Sequence, residues 1–238
     1  MAFGSRADVR RAIEAAGKAM PAWMKLTAYD RAKVLKKTAD LMRERADSIA
    51  KTLTMEQGKP LAEAKAEIMH SADTFEWFAE EGKRAYGQVI PNSAPGKRHV
   101  TLKHPVGVVG AISPWNFPIT LQSRKIAPAL AAGCTIVCKP ATQTPLSLVQ
   151  VFECMIDAGL PAGVANLVMG PAPLLPAINC AQKAAISFPR GVMAPMPVTT
   201  TLFIIYFFGS NYFLSTQINQ SGSFSTQVAG LVPRSFRN

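Results

Sequence analysis

An α/β fold in which N-terminal helices lead into a parallel sheet is predicted for this chain by three observations. Residues before Gly82 carry apolar side chains at helical spacing. From Val106 onward, short apolar runs alternate with longer amphipathic segments that close on glycine. The first two runs lead to polar residues, Asn116 and Lys139, at strand ends, where open α/β sheets hold their ligands.

Ser5-Arg6-Ala7-Asp8 reads as a capping box, followed at helical spacing by Val9, Ile13, Ala16 and Met20 before Pro21 stops the run. Thr27 with Asp30 marks a second helix start. Its apolar stripe of Val34, Leu35, Leu41, Met42, Ile49 and Leu53 predicts one long helix ending near Gly58. Pro60 fits the first turn of a third helix, with Leu61, Ala64, Ile68, Phe75 and Phe78 inward and Lys65, Glu67 and Asp73 outward. Arg98 to His104 alternates around Val100 and Leu102, as an edge or hairpin strand does.

The core segment then reads as strand 106–112, helix 119–132 closed by Gly133, strand 135–138, helix 146–158 closed by Gly159, and strand 164–169. Such alternation implies crossover connections and a parallel sheet. A helix over 174–180 and a strand over 184–188 would continue the winding. After Phe188 the character changes, because residues 189–238 contain no Asp, Glu or Lys. The run 201–208, TLFIIYFF, is β-prone and uncharged within a polar tail, so that tail is expected to be disordered or aggregation-prone. Thr201 to Leu214 is too short and too interrupted to span a bilayer, and the first residues lack the apolar run of a secretory signal.

With 238 residues, 48% of them hydrophobic, the chain has enough material for one sizeable core or two small ones. Its four cysteines, Cys134, Cys138, Cys154 and Cys180, lie in apolar segments without metal-ligand spacing, which suggests neither a disulfide framework nor a metal site and favours a reducing compartment. The net charge of +11 raises the question of nucleic acid. Residues 1–81 hold 14 basic and 13 acidic side chains, whereas 82–152 hold 8 basic and none acidic. The excess therefore reflects missing acids rather than a basic run interleaved with aromatics, and no nucleic-acid partner is expected.

Ser113-Pro114-Trp115-Asn116-Phe117-Pro118, followed by Lys139-Pro140-Ala141, resembles the aldehyde dehydrogenase superfamily. Together with Glu56-Gln57-Gly58-Lys59-Pro60 and Ser123-Arg124-Lys125, it is most similar to the succinate-semialdehyde dehydrogenases. The resemblance covers about residues 8–188 and implies a Rossmann-like, doubly wound parallel sheet, present here as an incomplete cofactor domain. The chain accordingly divides into 1–188, the partial N-terminal and cofactor-binding domain, and 189–238, a tail outside the family.

That resemblance implies oxidation of an aldehyde, here succinate semialdehyde, to its acid with NADP or NAD. Such chemistry needs a thiolate nucleophile, an oxyanion donor, a hydride acceptor and a base that activates water. By resemblance, Asn116 donates its side-chain N–H to the oxyanion, although without the surrounding motif it reads rather as a turn asparagine that satisfies its own backbone. Lys139 would contact the adenosine ribose, where the residues alone also allow a solvated strand-end lysine. Ser113, Pro114 and Trp115 would line the same cleft, and Pro140, Ala141 and Thr142 would flank the ribose.

Thr142 stands where members that prefer NAD commonly carry a glutamate, so NADP is expected to be tolerated or preferred. Arg124 matches the arginine that grips the substrate's distal carboxylate, with a structural salt bridge as the alternative. The nucleophilic cysteine, the general-base glutamate and a second glycine-rich loop fall after Phe188 in the family. Here Pro189-Arg190-Gly191 replaces that loop, no acid follows Asp157, and no cysteine holds the nucleophile's position. The expected product is an inactive chain; the competing reading is a non-catalytic remnant that binds nucleotide or associates with full-length subunits. Intact relatives are expected to be homo-oligomers in the cytoplasm or mitochondrial matrix, without membrane partners.

Overall fold

Ser5 opens the first helix as its neighbours predict. In the computed structural model, which describes residues 4–91, 95–96 and 99–170 and the backbone of 203–208, 212–218 and 224–230, α1 spans Arg6–Lys25. The Ser5 hydroxyl accepts from the Asp8 N–H at 3.4 Å, and the Asp8 carboxylate accepts from the Ser5 N–H at 2.6 Å. Pro21 does not stop this helix. Two residues beyond the expected end, Trp23 is 1% exposed and donates Nε1–H to the Leu130 carbonyl at 3.1 Å. Burying about 150–250 Å² of tryptophan contributes about 4–6 kcal/mol, which exceeds the roughly 3 kcal/mol that an interior proline costs.

The single long helix expected from Thr27 to Gly58 is two, α2 (Ala28–Glu44) and α3 (Ala46–Gln57). Arg45 stands between them at φ −95° and ψ 10°, off helical geometry, and its guanidinium pairs with Asp157 at 2.7 Å. A one-residue bend leaves the apolar stripe running on, so periodicity does not register it. Gly58 ends α3 at φ +88°, a conformation that side chains with a Cβ rarely adopt.

Next comes α4 (Leu61–Glu81), which buries Ala64, Ile68 and Phe75 as predicted. Two of its assignments are corrected: Leu61 faces solvent, and Glu67 points inward at 5% exposure. A short 3₁₀ turn, Gly82–Arg84, leads to β1 (Gln88–Ile90) and β2 (His99–Thr101). These two pair antiparallel in their own ribbon, with both strands exposed, so the predicted hairpin stands outside the core.

The core segment follows its expected order as β3 (Val108–Ile112), α5 (Pro118–Ala131), β4 (Thr135–Lys139), α6 (Leu146–Asp157) and β5 (Ala165–Leu167). Gly133 closes α5 at φ +89°, and a Cβ there would stand 3.0 Å from Pro105. Strand order is β5-β4-β3, parallel throughout, so these strands carry one arm of the expected winding.

Alternation along each strand sorts the core into two faces. Val108 and Val137 meet Val9 and Ala16 of α1 on one face. Val109, Ala111, Ile136 and Cys138 enter the main core on the other, with Ile119 and Leu130 of α5, Leu148 of α6, and Leu35, Met42, Leu53 and Phe75 from the outer helices. The β-prone run of the tail supplies β6 (Phe203–Phe208), which pairs antiparallel with β3 and is followed by β7 (Tyr212–Ile218) and β8 (Phe224–Gly230). These three strands are the described backbone of the tail expected to be disordered or aggregation-prone. The helix and strand predicted over 174–188 lie outside the described residues.

Candidate functional site

Parallel pairing in register brings Ile112 beside Lys139, so the two strands end together. The Ser113 N–H donates to the Lys139 carbonyl at 3.3 Å, which carries the pairing one residue past the sheet. Ser113 and Pro140 are buried, Ala141 is half-buried, and Pro114, Trp115, Asn116 and Thr142 are exposed along the same edge. Lys139 is itself buried, with Nζ donating to the Pro140 carbonyl at 3.0 Å, and burial holds its ammonium below the usual lysine range. The Thr142 hydroxyl donates to the Gly170 carbonyl at 3.0 Å, fastening this edge to the chain beyond β5.

Three side chains not assigned a role in the sequence reading fix this edge. Gln122, fully buried on α5, donates both N–H groups of its amide, to the Ser113 hydroxyl at 2.8 Å and to the Lys139 carbonyl at 3.2 Å. One side chain thereby spans both strand ends. Nothing in the sequence singles it out, because Thr120, Ser123, Arg124 and Lys125 stand beside it in the same stretch.

Glu67 reaches from α4 to the start of α5, where one carboxylate oxygen accepts from the Ile119 N–H at 3.0 Å and the Thr120 N–H at 3.1 Å. Its other oxygen pairs with the Lys59 ammonium. That ammonium also donates to the backbone carbonyl of Asn116 at 3.3 Å and lies 4.3 Å from the centre of the Phe117 ring. The Gln57 amide approaches the same carbonyl at 3.5 Å. Glu56 does for α6 what Glu67 does for α5, accepting from the Leu146 N–H at 2.7 Å and the Ser147 N–H at 3.0 Å, and from the Ser147 hydroxyl. Neither α5 nor α6 has a side-chain cap of its own or an acidic residue in its first turn. A carboxylate complements a helix N-terminus wherever in the sequence it comes from.

Arg124 is placed on α5 with Nη2 3.2 Å from Nε2 of His70 on α4, and burial lowers its pKa without discharging it at neutral pH. Its neighbour Lys125 is fully buried, donates to the Leu121 carbonyl at 3.0 Å, and has its pKa lowered by burial to about 7. Cys134, Cys138 and Cys154 are buried free thiols whose pKa values burial raises, so they stay protonated. None of these three presents a thiolate; Cys180 lies outside the described residues. Among the described residues no helix is long and apolar enough to cross a membrane.

The parallel arm β5-β4-β3, flanked by helices and with an amide, an ammonium and a hydroxyl along the edge beyond its strand ends, has the form in which open α/β sheets hold ligands. The chain belongs to the aldehyde dehydrogenase family, whose pattern matches residues 1–188. It is 54% identical over 165 residues to succinate-semialdehyde dehydrogenase (NADP(+)) GabD of Escherichia coli strain K12, covering 69% of this chain and 34% of that one. Identity to the glutarate-semialdehyde dehydrogenase of Pseudomonas putida KT2440 is 55% over 166 residues, covering 70% and 35%. The crystal structure of an Escherichia coli NADP dependent enzyme superposes with a TM-score of 0.72 at 52% identity, covering 73% of this chain and 36% of that one. The chain therefore spans about a third of the length of the curated relatives it matches.

Proposed function

We propose that this chain is the cofactor-binding portion of a dehydrogenase that oxidises a carboxylate-bearing semialdehyde to its acid with NADP or NAD. The observation that supports it is the meeting of the Asn116 loop and Lys139 at the paired ends of β3 and β4. When bound, the nicotinamide cofactor would supply the hydride acceptor. Lys139, Pro140, Ala141 and Thr142 would hold its ribose, with Ser113, Pro114 and Trp115 lining the cleft. The exposed Asn116 would donate its amide N–H to an oxyanion, its backbone carbonyl being held from behind by Lys59. Arg124 would receive the distal carboxylate of the substrate, in a fork that suits two oxygens.

The chain's own residues stop short of turnover in this reading. The described thiols are buried and protonated, and no acidic residue follows Asp157 to serve as the later base. An enzyme of this kind would work in the cytoplasm or the mitochondrial matrix. Titration of the purified chain with NADP+ and with NAD+ tests the reading. Binding that Lys139→Ala abolishes, without hydride transfer to either cofactor in the presence of succinate semialdehyde, is the expected result. A chain that retains neither nucleotide refutes it, and hydride transfer refutes the inactivity. A second reading, association with full-length subunits, is favoured by the exposed Val89 and Val100 of the β1–β2 ribbon and Leu102 just beyond it. Co-purification of tagged chain with an intact relative distinguishes it.

A further inference from the structure

The segment from Glu56 to Glu67 touches both loops of the candidate site from the far side. Glu56, at the end of α3, holds the first N–H groups of α6. Lys59 holds the Asn116 carbonyl, and Glu67 holds the first N–H groups of α5. The side chains of Glu67 and Lys59 are 1% and 7% exposed. A buried ion pair is weak evidence for stability, because desolvation offsets its attraction, whereas its directional hydrogen bonds fix geometry. Here those bonds converge on the two segments that follow β3 and β4, and α5 and α6 provide no caps of their own.

We propose that Glu67 and Glu56 are positioning residues: Glu67, through Lys59 and the start of α5, sets the Asn116 loop, and Glu56, through the start of α6, sets the segment after Lys139. The α3–α4 corner that carries them acts as a strut keeping the two loops at a fixed separation. This rests on the reading of those loops as the nucleotide edge, and the test separates the two.

Amide hydrogen exchange is followed in the full chain for residues 113–121 and 144–149, together with NADP+ affinity, in Glu67→Gln, Glu56→Gln and the exposed control Glu63→Gln. Glu67→Gln speeds exchange at Ile119 and Thr120 by about tenfold and leaves Leu146 and Ser147 unchanged, and Glu56→Gln does the converse. Each weakens NADP+ binding by about tenfold, the control by nothing. If Glu67→Gln does not fold, the double variant Lys59→Met with Glu67→Met removes both charges while keeping apolar bulk, and the same local acceleration is expected. Unchanged exchange in both windows overturns the proposal, as does acceleration spread evenly over all helices. Local acceleration in a series whose unsubstituted chain binds no NADP+ supports the strut and refutes the nucleotide reading instead.

Discussion

Helices α1 and α2 are capped by their own neighbours, whereas α5 and α6 are capped from across the molecule. Ser5 and Asp8, and Thr27 and Asp30, lie three residues apart, at the exposed surface. Glu67 to Thr120 and Glu56 to Ser147 span 53 and 91 residues, and the first of these is buried. A local cap fastens a helix to itself; a remote cap fastens it to the rest of the fold. The helices that begin at the candidate site are of the second kind.

Glu67→Ala breaks the comparison most severely, because it leaves the Lys59 ammonium buried without its partner and the start of α5 uncapped. A loss of about 3–5 kcal/mol in urea unfolding is expected. A loss below about 1 kcal/mol, the range of a surface cap, would erase the distinction.

Lys125→Met sharpens it from within α5, where burial opposes a charge instead of using one. Folding holds the Lys125 pKa at about 7, below its ordinary 10.5. The charged form is therefore penalised fully below pH 7, and the penalty fades as pH rises from 7 towards 10.5. Stability of the unsubstituted chain should rise across that window. The methionine variant should gain about 2–4 kcal/mol at pH 6 and little near pH 10, as read from denaturant midpoints.

Gln122→Leu leaves the Ser113 hydroxyl and the Lys139 carbonyl without their shared donor, for a loss of about 2 kcal/mol. If the strand ends depend on it, fluorescence shifts as well, and the shift disappears in a Trp115→Phe background that keeps Trp23 and Trp77.

Thr27→Ala, at a local cap, should cost about 1 kcal/mol and leave nucleotide affinity untouched. Acid titration reads the other local cap. The Ser5 backbone N–H and hydroxyl, then Arg11, hold the Asp8 carboxyl down at about 2, against 3.8 ordinarily. Its contribution is present above pH 3.8 and is lost as pH falls towards 2. Asp8→Asn should abolish that part of the acid dependence.

Thr142→Glu acts on selectivity alone. The ratio of NAD+ to NADP+ affinity should rise about tenfold, since a carboxylate accepts from a ribose 2′-hydroxyl and repels a 2′-phosphate. Equal ratios before and after would remove Thr142 from the selectivity argument.

What the sequence disclosed follows the same division. Ser5, Thr27, Gly133 and Gly159 announce their elements because turn and cap chemistry is written within a few residues. The apolar runs of β3 and β4 are legible because strands buried on both faces tolerate little else. Pro21 and Arg45 mislead because tertiary contacts decide them, through Trp23 in one case and the bend toward Asp157 in the other. In the site, Asn116, Lys139 and Arg124 stand out by motif. Glu67 and Gln122 do not, since each looks like a polar interruption until the chain returns from fifty residues away or from a neighbouring strand. Periodicity puts Glu67 on the solvent face, because it counts turns and is blind to partners.

The remote caps also decide where negative charge can settle. Open α/β sheets that take nucleotides commonly present unoccupied N–H groups at the start of the helix after a strand, and a phosphate lodges there. In this chain the N–H groups of Ile119, Thr120, Leu146 and Ser147 are already given to internal carboxylates. Both helix starts carry built-in counter-anions, and an incoming diphosphate would be repelled from them. In the proposed function, where Lys139 holds the ribose, the neutral sugar would sit at this edge and the phosphates would lie away from these two helix starts.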